Sequence, residues 1–336
     1  MGEIISPPLP FMKKIYFALI SLTTLLLSSC EMSFSFPFPA KSSVEDNSET
    51  SIMDTSSFDT SSVEEITSSE EPSYFKGYAP EGYVLAWHDE FSAQVLSDEW
   101  ECMIGDGSNY GVYRWGNNEE QYYTDDNAYV DDDNLHIVAY KERRVTEQGD
   151  VYQYTSARLR TKGKVTTTYG YIEARIKLPV GTGLWPAFWM LPEGNFADRW
   201  WPTSGEIDIM EARGRLPGVA SSTIHSGNAN NQDVYQYRDY NFPEGEDISD
   251  YHCYGVEWTD KGFKFYVDGN FFFEVTPKTY QNNNPLYTES SASAPFDRPF
   301  HLLLNLAIGG NYDGGKSVSN DFREAEMLVD YVRIFD

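Results

Sequence analysis

The amino-acid sequence predicts an all-β fold in which two antiparallel sheets pack face to face as a sandwich. Beyond the first 30 residues, no long segment repeats its apolar residues with the period of a helix. Short apolar runs alternate instead with turns rich in glycine, asparagine and proline, which is typical of antiparallel strands. The C-terminal stretch of about 255 residues is long enough to bury a sizeable core, so no second folded domain is needed.

Three segments justify individual strands of this sandwich. Residues 171–178 alternate isoleucine, alanine and leucine with tyrosine and charged residues, so we expect an antiparallel strand with one solvated face. Residues 263–275 carry Asp268 and Gly269 between two alternating runs, which predicts a hairpin. Residues 302–308 are apolar on both faces, and we therefore expect a central strand.

Residues 1–30 have the features of a signal peptide. Lys13 and Lys14 precede an apolar run over residues 15–27, which is too short to span a bilayer comfortably. The run ends in Leu-Ser-Ser-Cys, which resembles a bacterial lipobox. We therefore expect Cys30 to be acylated and to anchor the chain outside the cytoplasm, on the cell membrane or cell surface. An ordinary cleaved signal peptide with an incidental cysteine is the alternative.

Residues 31–77 separate this leader from the predicted folded domain at residues 78–336. Between residues 31 and 76 there are ten acidic residues and two lysines, and few apolar residues recur periodically. Such a segment cannot bury enough apolar surface to fold, so it is expected to be a disordered, self-repelling tether. An acidic interaction tail is the alternative.

The charge of the chain limits its partners. Aspartate and glutamate number 52 against 25 lysines and arginines, which gives a formal net charge of −27. Binding to nucleic acid phosphates needs clustered cations, so we expect no nucleic-acid partner. The same field repels sulfated or uronate polymers, whereas a neutral polysaccharide meets no such penalty.

Two cysteines fall in the predicted domain, Cys102 and Cys253. A domain of this size does not need a covalent staple. Free buried thiols are therefore favoured over a disulfide. We expect a monomer that reaches the membrane only through its lipid anchor.

Residues 205–211, Gly-Glu-Ile-Asp-Ile-Met-Glu, place three carboxylates on an otherwise apolar strand. Side chains alternate faces along a strand, so Glu206 and Asp208 share one face, and Glu211 joins them only if a β-bulge near Met210 adds one residue. Carboxyls brought to about 5 Å in this way suit a retaining glycosidase. A solvated acidic strand is the alternative. It is disfavoured because residues 183–192, just upstream, are strongly apolar.

Seven collinear motifs resemble those of glycoside hydrolase family 16, in particular its laminarinase-like endo-β-1,3-glucanases. The bulged signature E-[ILV]-D-x-x-E is matched by residues 206–211. The other six motifs are W-x-D-E-F at 87–91, W-G-N-N-E-x-Q-Y-Y-T at 115–124, Y-T-S-A-R-L at 154–159, Y-G-Y-I-E-A-R-I-K-L-P at 169–179, G-L-W-P-A-F-W-M-L-P at 183–192 and V-D-Y-V-R-I at 329–334. The odd spacing of the two glutamates disfavours the lichenase type, which keeps E-x-D-x-E without a bulge.

The resemblance implies a β-jelly roll of the concanavalin type with a substrate cleft across its concave sheet. It also implies endo-hydrolysis of β-1,3-glucan, with Glu206 as nucleophile and Glu211 as general acid/base. Asp208 lies beside Glu206, and three close acids are expected to share a proton near neutral pH, first in the region of Asp208. We expect the pKa of Glu211 to rise from about 4.3 toward about 6. Catalysis needs no cofactor. The alternatives are another β-glucan or a galactan as substrate, a wall-remodelling transglycosylase, or a non-catalytic glucan-binding module.

Aromatic and polar residues in the matched motifs are candidate sugar contacts. Trp185 is expected to stack on a sugar ring, whereas Trp189 on the same face either stacks or belongs to the core. By resemblance, the W-G-N-N-E segment contacts sugars on the non-reducing side of the scissile bond, with a turn held by asparagine side chains as the alternative. The four residues of that segment are Trp115, Asn117, Asn118 and Glu119. Arg158 is expected to reach into the cleft, where a buried guanidinium wants a carboxylate or hydroxyl partner.

His225 follows the acidic strand in the segment T-I-H-S-G. By resemblance we expect it to hydrogen-bond near Glu211 or to the leaving sugar; a purely structural histidine is the alternative. Ser226 replaces the aromatic residue usual in the family, so a stacking surface on the leaving side is expected to be missing. Trp200 and Trp201, in the preceding loop, are candidates to replace it.

The sequence carries few signals for a metal site. No cluster of histidines and cysteines suggests zinc. Many members of the resembled family carry a structural calcium, and Asp330 matches the position of its carboxylate ligand. We therefore expect a structural calcium at Asp330, since calcium prefers oxygen ligands.

Overall fold

The computed structural model describes residues 77–336, and all structural statements below refer to this range. The predicted signal peptide, Cys30 and the tether up to residue 76 lie outside the described residues. Twenty β-strands and two short α-helices make up the regular structure, with two 3-10 turns at Ser108–Tyr110 and Tyr113–Gly116. Among the described residues, no helix has the length and apolar character needed to cross a membrane.

The strands and helices have the following bounds in chain order: β1 (Leu85–Asp89), β2 (Glu101–Cys102), β3 (Tyr122–Tyr123), β4 (Ala128–Asp131), β5 (Asn134–Tyr140), β6 (Arg144–Val145), β7 (Val151–Tyr152), β8 (Thr155–Ser156), β9 (Arg158–Arg160), β10 (Thr166–Thr167), β11 (Gly170–Lys177), β12 (Leu184–Pro192), β13 (Glu206–Ala212), β14 (Val219–Gly227), β15 (Asp233–Asn241), β16 (Tyr251–Thr259), β17 (Gly262–Val267), β18 (Asn270–Val275), α1 (Pro277–Gln281), α2 (Pro285–Thr288), β19 (Phe300–Ile308) and β20 (Glu324–Phe335).

Two large sheets form the sandwich. A ten-stranded sheet, here the outer sheet, has the order β18-β17-β16-β11-β20-β5-β8-β3, with β1 beside β20 and β4 beside β5. An eight-stranded sheet, here the cleft sheet, has the order β15-β14-β13-β12-β19-β9-β2, with β10 beside β19. Strands β6 and β7 form a separate hairpin. The pairing is antiparallel except between β3 and β8. The predicted all-β sandwich is confirmed.

The main core lies between the two sheets and contains the alternating residues that the sequence singled out. Ile172, Ala174 and Ile176 of β11 are fully buried in it. All nine residues of β19 are buried, and this strand pairs with β12 on one side and β9 on the other. The expected central strand is therefore present. The expected hairpin joins β17 to β18, with Asp268 and Gly269 both at positive φ in its turn.

One expectation about β11 is wrong for half of the strand. Its second face was predicted to be solvated; Arg175 is partly exposed and Lys177 is exposed, yet Tyr171 and Glu173 are buried. The segment before β1 lies over this face, where Ala79 packs with Tyr171 and Phe335 in a second apolar cluster. Glu173 accepts a hydrogen bond from the backbone N–H of Tyr78 at 3.0 Å. The alternation rule fails at these two residues because the chain itself covers this part of the outer sheet.

Both cysteines of the domain are free thiols, as favoured from the sequence. Cys253 is buried, and its Sγ donates to Oε2 of Glu173 at 3.2 Å. Cys102 is half-buried rather than buried. Burial raises the pKa of Cys102 to about 11, with smaller contributions from Asp125 and Glu101. The thiol therefore stays protonated at neutral pH.

Candidate active site

A β-bulge in β13 places three carboxylates on one face of the cleft sheet. Asp208 pairs with Thr223 and Glu211 pairs with Ser221, so three residues of β13 advance against two of β14. Against β12, Met210 and Asp208 pair with the consecutive residues Phe188 and Trp189, which leaves Ile209 as the extra residue. A residue inserted in this way restores the parity that the sequence spacing lacks. Glu206, Asp208 and Glu211 therefore face the same side.

The opposite face of β13 is fully apolar. Ile207, Ile209 and Met210 are at most 2% exposed and belong to the core between the sheets. This packing fixes the register of β13, because a shift of one residue would place a carboxylate in the core. The acidic strand is therefore not a solvated face. Its apolar side anchors it, and its carboxylates line the other side.

Asp208 is 3% exposed and lies among other charges. Its Oδ2 has no hydrogen-bond partner among the described residues, although His225 Nε2 lies 3.4 Å away. Burial raises the pKa of Asp208 well above its usual range, and the charges of Glu206 and Glu211 raise it further. Burial and the neighbouring negative charges thus favour the protonated form of Asp208.

Glu211 is buried beside the Trp185 indole, whose Nε1 donates to Glu211 Oε1 at 3.0 Å. Burial raises the pKa of Glu211 to about 7; the positive charge of His225 opposes this shift and Glu206 adds to it. Burial also raises the pKa of Glu206, while the cations His225 and Arg158 oppose that shift. The site can thus hold a protonated acid and a carboxylate side by side near neutral pH.

His225 pairs across the strands with Glu206, so its ring lies on the carboxylate face. Its Nδ1 lies 3.0 Å and 3.1 Å from the two carboxylate oxygens of Asp233. Burial lowers the pKa of His225, but the hydrogen bond to Asp233 and the charges of Glu206 and Glu211 outweigh burial and raise it to about 9. His225 is therefore a cation, and its nearest carboxylates are Asp208 and Asp233 rather than Glu211.

Sequence reasoning missed Asp233. The residue begins β15 and pairs with Gly227 at the end of β14. An antiparallel hairpin brings residues on either side of its turn together, and the turn-forming run Asn228 to Gln232 supplies the signal that was available. Asp233 supplies the carboxylate that holds His225 in its charged form.

The two tryptophans of β12 have different surroundings. The Trp185 ring stacks on Tyr312, with centroids 5.0 Å apart and planes at 21°. The Trp189 Nε1 donates to Asn305 Oδ1 at 2.8 Å, and the Arg158 guanidinium lies 4.7 Å from the Trp189 ring centroid. Both indoles are half-buried on the carboxylate side of the strand. Each retains a partly accessible surface beside the acids.

Two residues of the W-G-N-N-E segment, Trp115 and Glu119, interact with Arg158. Trp115 is 5% exposed, and the Arg158 guanidinium lies 4.4 Å from its ring centroid. Glu119 is 3% exposed and accepts hydrogen bonds from Gln121 at 2.7 Å and Tyr123 at 3.0 Å. The structure therefore places Trp115 and Glu119 in the interior, where Glu119 offsets the buried charge of Arg158.

The two asparagines of this segment contact the loop that follows β19. The backbone oxygen of Asn117 accepts from the N–H of Asn311 at 2.8 Å. The Asn118 Nδ2 donates to Asn311 Oδ1 at 2.9 Å, and Asn118 has a positive φ of 57°. These contacts match the alternative of a turn held by asparagines. Asn118 is exposed, so its side chain remains accessible.

The expectation about Ser226 is wrong. Ser226 is fully buried, and its hydroxyl donates to the backbone oxygen of Tyr280 at 2.6 Å. It therefore lies on the face of β14 opposite His225, and its identity does not add or remove a stacking surface in the cleft. Trp201 does lie beside the site, with its ring centroid 5.8 Å from that of His225. Trp200 is 73% exposed.

Asp330 does not have the surroundings of a calcium ligand. Its Oδ2 accepts from the Arg175 guanidinium at 2.6 Å, and a cation held so close repels a second cation. Among residues 77–336, the one group of side chains with metal-ligand spacing is Glu206, Asp208 and His225. That group belongs to the acidic face of β13 and β14. The side chains at Asp330 therefore do not fit the calcium site that the resemblance implied.

Comparison with known proteins identifies the family. Residues 115–324 match the sequence model of the family described as Glycosyl hydrolases family 16. The chain belongs to this family. A relative, "Glucan endo-1,3-beta-glucosidase A1" of Niallia circulans, is 42% identical over 76% of this chain but over 38% of its own length. The chain thus spans well under two thirds of that relative. The "Beta-glucanase" of Rhodothermus marinus is 38% identical over 75% of this chain and 84% of its own length.

A solved structure of the family has the same fold. The X-ray structure of an endo-β-1,3-glucanase from Pyrococcus furiosus matches with a TM-score of 0.66 and 40% identity. The match covers 76% of this chain and 94% of that chain. The family that the seven motifs indicated is confirmed, and so is the jelly-roll sandwich. The acidic face of β13 therefore lies in the fold of a glycoside hydrolase.

Proposed function

We propose that this family 16 glycoside hydrolase cleaves β-1,3-glucan internally, with retention of anomeric configuration. The observation that carries the proposal is the bulge in β13, which brings Glu211 to the same face as Glu206 and Asp208. Two similar proteins, one of them with a solved structure of the same fold, have names that state 1,3-β-glucan cleavage, and their similarity to this chain supports the substrate class. The net charge of −27 favours a neutral polymer over a sulfated one.

In the proposed reaction, the Glu206 carboxylate attacks the anomeric carbon while Glu211 donates its proton to the departing glycosidic oxygen. The bond from anomeric carbon to that oxygen breaks, and a covalent glycosyl ester forms on Glu206. Glu211, now a carboxylate, then takes a proton from water, which attacks the anomeric carbon and frees Glu206. Two displacements restore the original configuration.

The surroundings suit these roles. Glu211 has a pKa of about 7, raised mainly by burial, so it is largely protonated below neutral pH. His225 and Arg158 bring positive charge near Glu206, which favours its ionised form. Burial and the charges of Glu206 and Glu211 raise the pKa of Asp208, which favours its neutral form and limits the negative charge between the two glutamates. The Trp185 and Trp189 indoles offer partly accessible rings beside the acids.

The test is reducing-sugar release from laminarin, lichenan, agarose and carrageenan by the wild type and by Glu206→Gln and Glu211→Gln. We expect strong release from laminarin and a loss of more than about a thousandfold in Glu206→Gln. Full activity in that variant would reject the assignment of the nucleophile.

A preference for agarose or carrageenan would reject the substrate class. Longer products from laminarin, in place of short oligosaccharides, would identify a transglycosylase instead. Binding of laminarin without any cleavage would identify a glucan-binding module.

Azide separates the roles of the two glutamates. Added to Glu206→Ala, azide should take the place of the nucleophile and yield a glycosyl azide of inverted configuration. Added to Glu211→Ala with an activated aryl glycoside, it should replace water in the second step and yield a product of retained configuration. Proton NMR of the products distinguishes the two, and exchanged outcomes would exchange the roles.

We also propose that the chain is attached to the outside of a bacterial cell membrane through acylated Cys30. The proposal is supported by the sequence Leu-Ser-Ser-Cys after the apolar run. Residues 31–77 would then hold the catalytic domain away from the membrane. Intact-mass measurement of the protein from the membrane fraction is the test. An N-terminus without lipid would overturn the anchor.

A further inference from the structure

The edge strand β15 carries two exposed tyrosines that have no part in the proposed reaction. Tyr235 is 54% exposed and Tyr237 is 57% exposed, while their neighbours Val234 and Gln236 are half-buried. Large exposed aromatic side chains that lie next to one another on one face commonly mark an interaction site. The rings of Tyr235 and Tyr237 have centroids 5.9 Å apart.

The register of the cleft sheet places both tyrosines on the carboxylate face. Tyr235 pairs with His225, which pairs with Glu206. Tyr237 pairs with Thr223, which in turn pairs with Asp208. Residues directly opposite one another in paired strands lie on the same side of a sheet.

The other face of β15 is directed toward the outer sheet. Arg238 lies 5.9 Å from the ring centroid of Phe273, and the Tyr240 ring lies 5.3 Å from that of Phe272. An edge strand ordinarily turns its apolar side chains inward and its polar ones to solvent. On β15 the face toward the outer sheet carries half-buried Val234, Gln236 and Tyr240 and exposed Arg238, whereas the two tyrosines face solvent. Core packing therefore does not account for Tyr235 and Tyr237.

A continuous row of rings joins the tyrosines to the acids. The Trp201 ring lies 5.8 Å from His225, His225 lies 5.7 Å from Tyr235, and Tyr235 lies beside Tyr237. Two strand spacings separate β15 from β13, a distance of about 10 Å. Sugars bound over β15 would thus lie beyond those held at the carboxylates.

We propose that Tyr235 and Tyr237 form a platform that binds neutral pyranose rings of the β-glucan chain beyond its reacting sugar. Pyranoses present apolar C–H faces with hydroxyl edges, and tyrosine offers a flat ring with a hydroxyl that reaches water. No charged side chain is required for such a ligand. The proposal rests on the proposed function, since it extends the substrate cleft of the same reaction.

The test measures kcat/KM for the wild type, Tyr235→Ala, Tyr237→Ala and the double variant on laminarin and on laminari-oligosaccharides of increasing length. We expect each alanine to cost about threefold to tenfold on long substrates, and the double variant about tenfold to hundredfold. On the shortest oligosaccharide that the wild type cleaves, the variants should stay within about twofold of it. Phenylalanine at either position should restore most of the loss, because it retains the ring.

Tyr129→Ala is the matched control, since Tyr129 is 41% exposed on β4 of the outer sheet. It should leave kcat/KM unchanged at every length. If the double variant has unchanged kinetics, the platform proposal is overturned and the proposed function is not. An equal loss at every length, with a lowered Tm, would also overturn it by showing a structural role. A wild type that releases no sugar from any β-glucan would overturn the proposed function and the platform with it.

Discussion

At the scale of single residues, the protonation of Glu211 is set by opposing neighbours. Burial raises its pKa, while the cation His225 and the hydrogen bond from Trp185 lower it, leaving a value of about 7. His225 keeps its charge because Asp233 accepts from its Nδ1. The pKa of the proposed general acid is thus adjusted by groups that need not touch the scissile bond themselves.

Replacing Trp185 with phenylalanine should move the alkaline limb of the pH–rate profile. The variant loses the indole N–H that favours the carboxylate of Glu211, so the pKa of Glu211 rises above about 7 and the acid stays protonated to higher pH. We expect the alkaline limb of kcat/KM to shift upward and its maximum to fall about tenfold.

Trp189→Phe is the control for this shift, since the Trp189 N–H donates to Asn305 instead. An alkaline limb that moves equally in both variants, or in neither, would show that Trp185 does not set the pKa of the acid.

At the scale of elements, the bulge of β13 decides which side chains meet. Strand β12 pairs regularly with β19 along its whole length, and the irregularity is confined to its contact with β13. The extra residue Ile209 is absorbed into the core, where it is 2% exposed. Without it, Asp208 and Glu211 would be separated by a single residue and would still share a face.

Deletion of Ile209 should therefore keep the acids together, whereas deletion of Ile207 should separate them. Without Ile209, Glu206 and Glu211 are as many residues apart on β13 as their partners His225 and Ser221 are on β14. Both pairs then fit a regular antiparallel ladder. We expect hydrolysis reduced about a hundredfold but measurable, and a protein about 2–5 kcal/mol less stable because a buried side chain is gone.

The Ile207 deletion removes an equally buried isoleucine, but it turns Glu206 to the opposite face from Asp208. It should abolish hydrolysis. Assays of both deletions with laminarin, alongside urea unfolding, are the measurement. Activity that survives better without Ile207 would contradict the assigned parity.

At the scale of the whole domain, the chain covers part of its own outer sheet. The segment before β1 lies over β11 and shields Glu173, which is fully buried. Burial raises the pKa of Glu173 above its ordinary value of 4.5, although the hydrogen bonds from the Tyr78 N–H and Cys253 oppose the shift. Its Oε1 has no hydrogen-bond partner among the described residues. Ionisation of this group is therefore costly in the native state.

Glu173→Gln should flatten the dependence of stability on pH. The native state holds the Glu173 proton to higher pH than the unfolded chain does, so the free energy of unfolding falls as the pH rises from about 4.5 through the raised native pKa. The fall is at most about 1.4 kcal/mol for each pH unit in that window. Glutamine cannot ionise, so the variant should lose less stability between pH 5 and pH 8.

Urea unfolding at both pH values is the measurement, and the exposed Glu81→Gln serves as control. A wild-type slope that persists in Glu173→Gln would assign the pH dependence to another group.

The motifs were sufficient to indicate the family and the three carboxylates of β13, because both can be recognised from the order of neighbouring residues along the chain. Strand alternation, the Asp268-Gly269 turn and the odd spacing of the two glutamates are local properties, and each predicted a feature that the structure contains. Predictions for residues whose surroundings come from distant segments were less successful. Glu173, Ser226 and Asp330 all have partners that the strand pattern does not reveal.

The sequence by itself thus determined an all-β sandwich of family 16 and the strand that carries its carboxylates. Only the tertiary structure decided that Asp233 holds His225 as a cation, that Glu119 offsets the buried charge of Arg158, and that Tyr235 and Tyr237 lie on the same sheet face as the carboxylates. The physical reason is the distance along the chain between the residues that determine each property. Periodicity records which face a side chain takes on its own strand, whereas burial, charge and pKa depend on what other strands bring to that face.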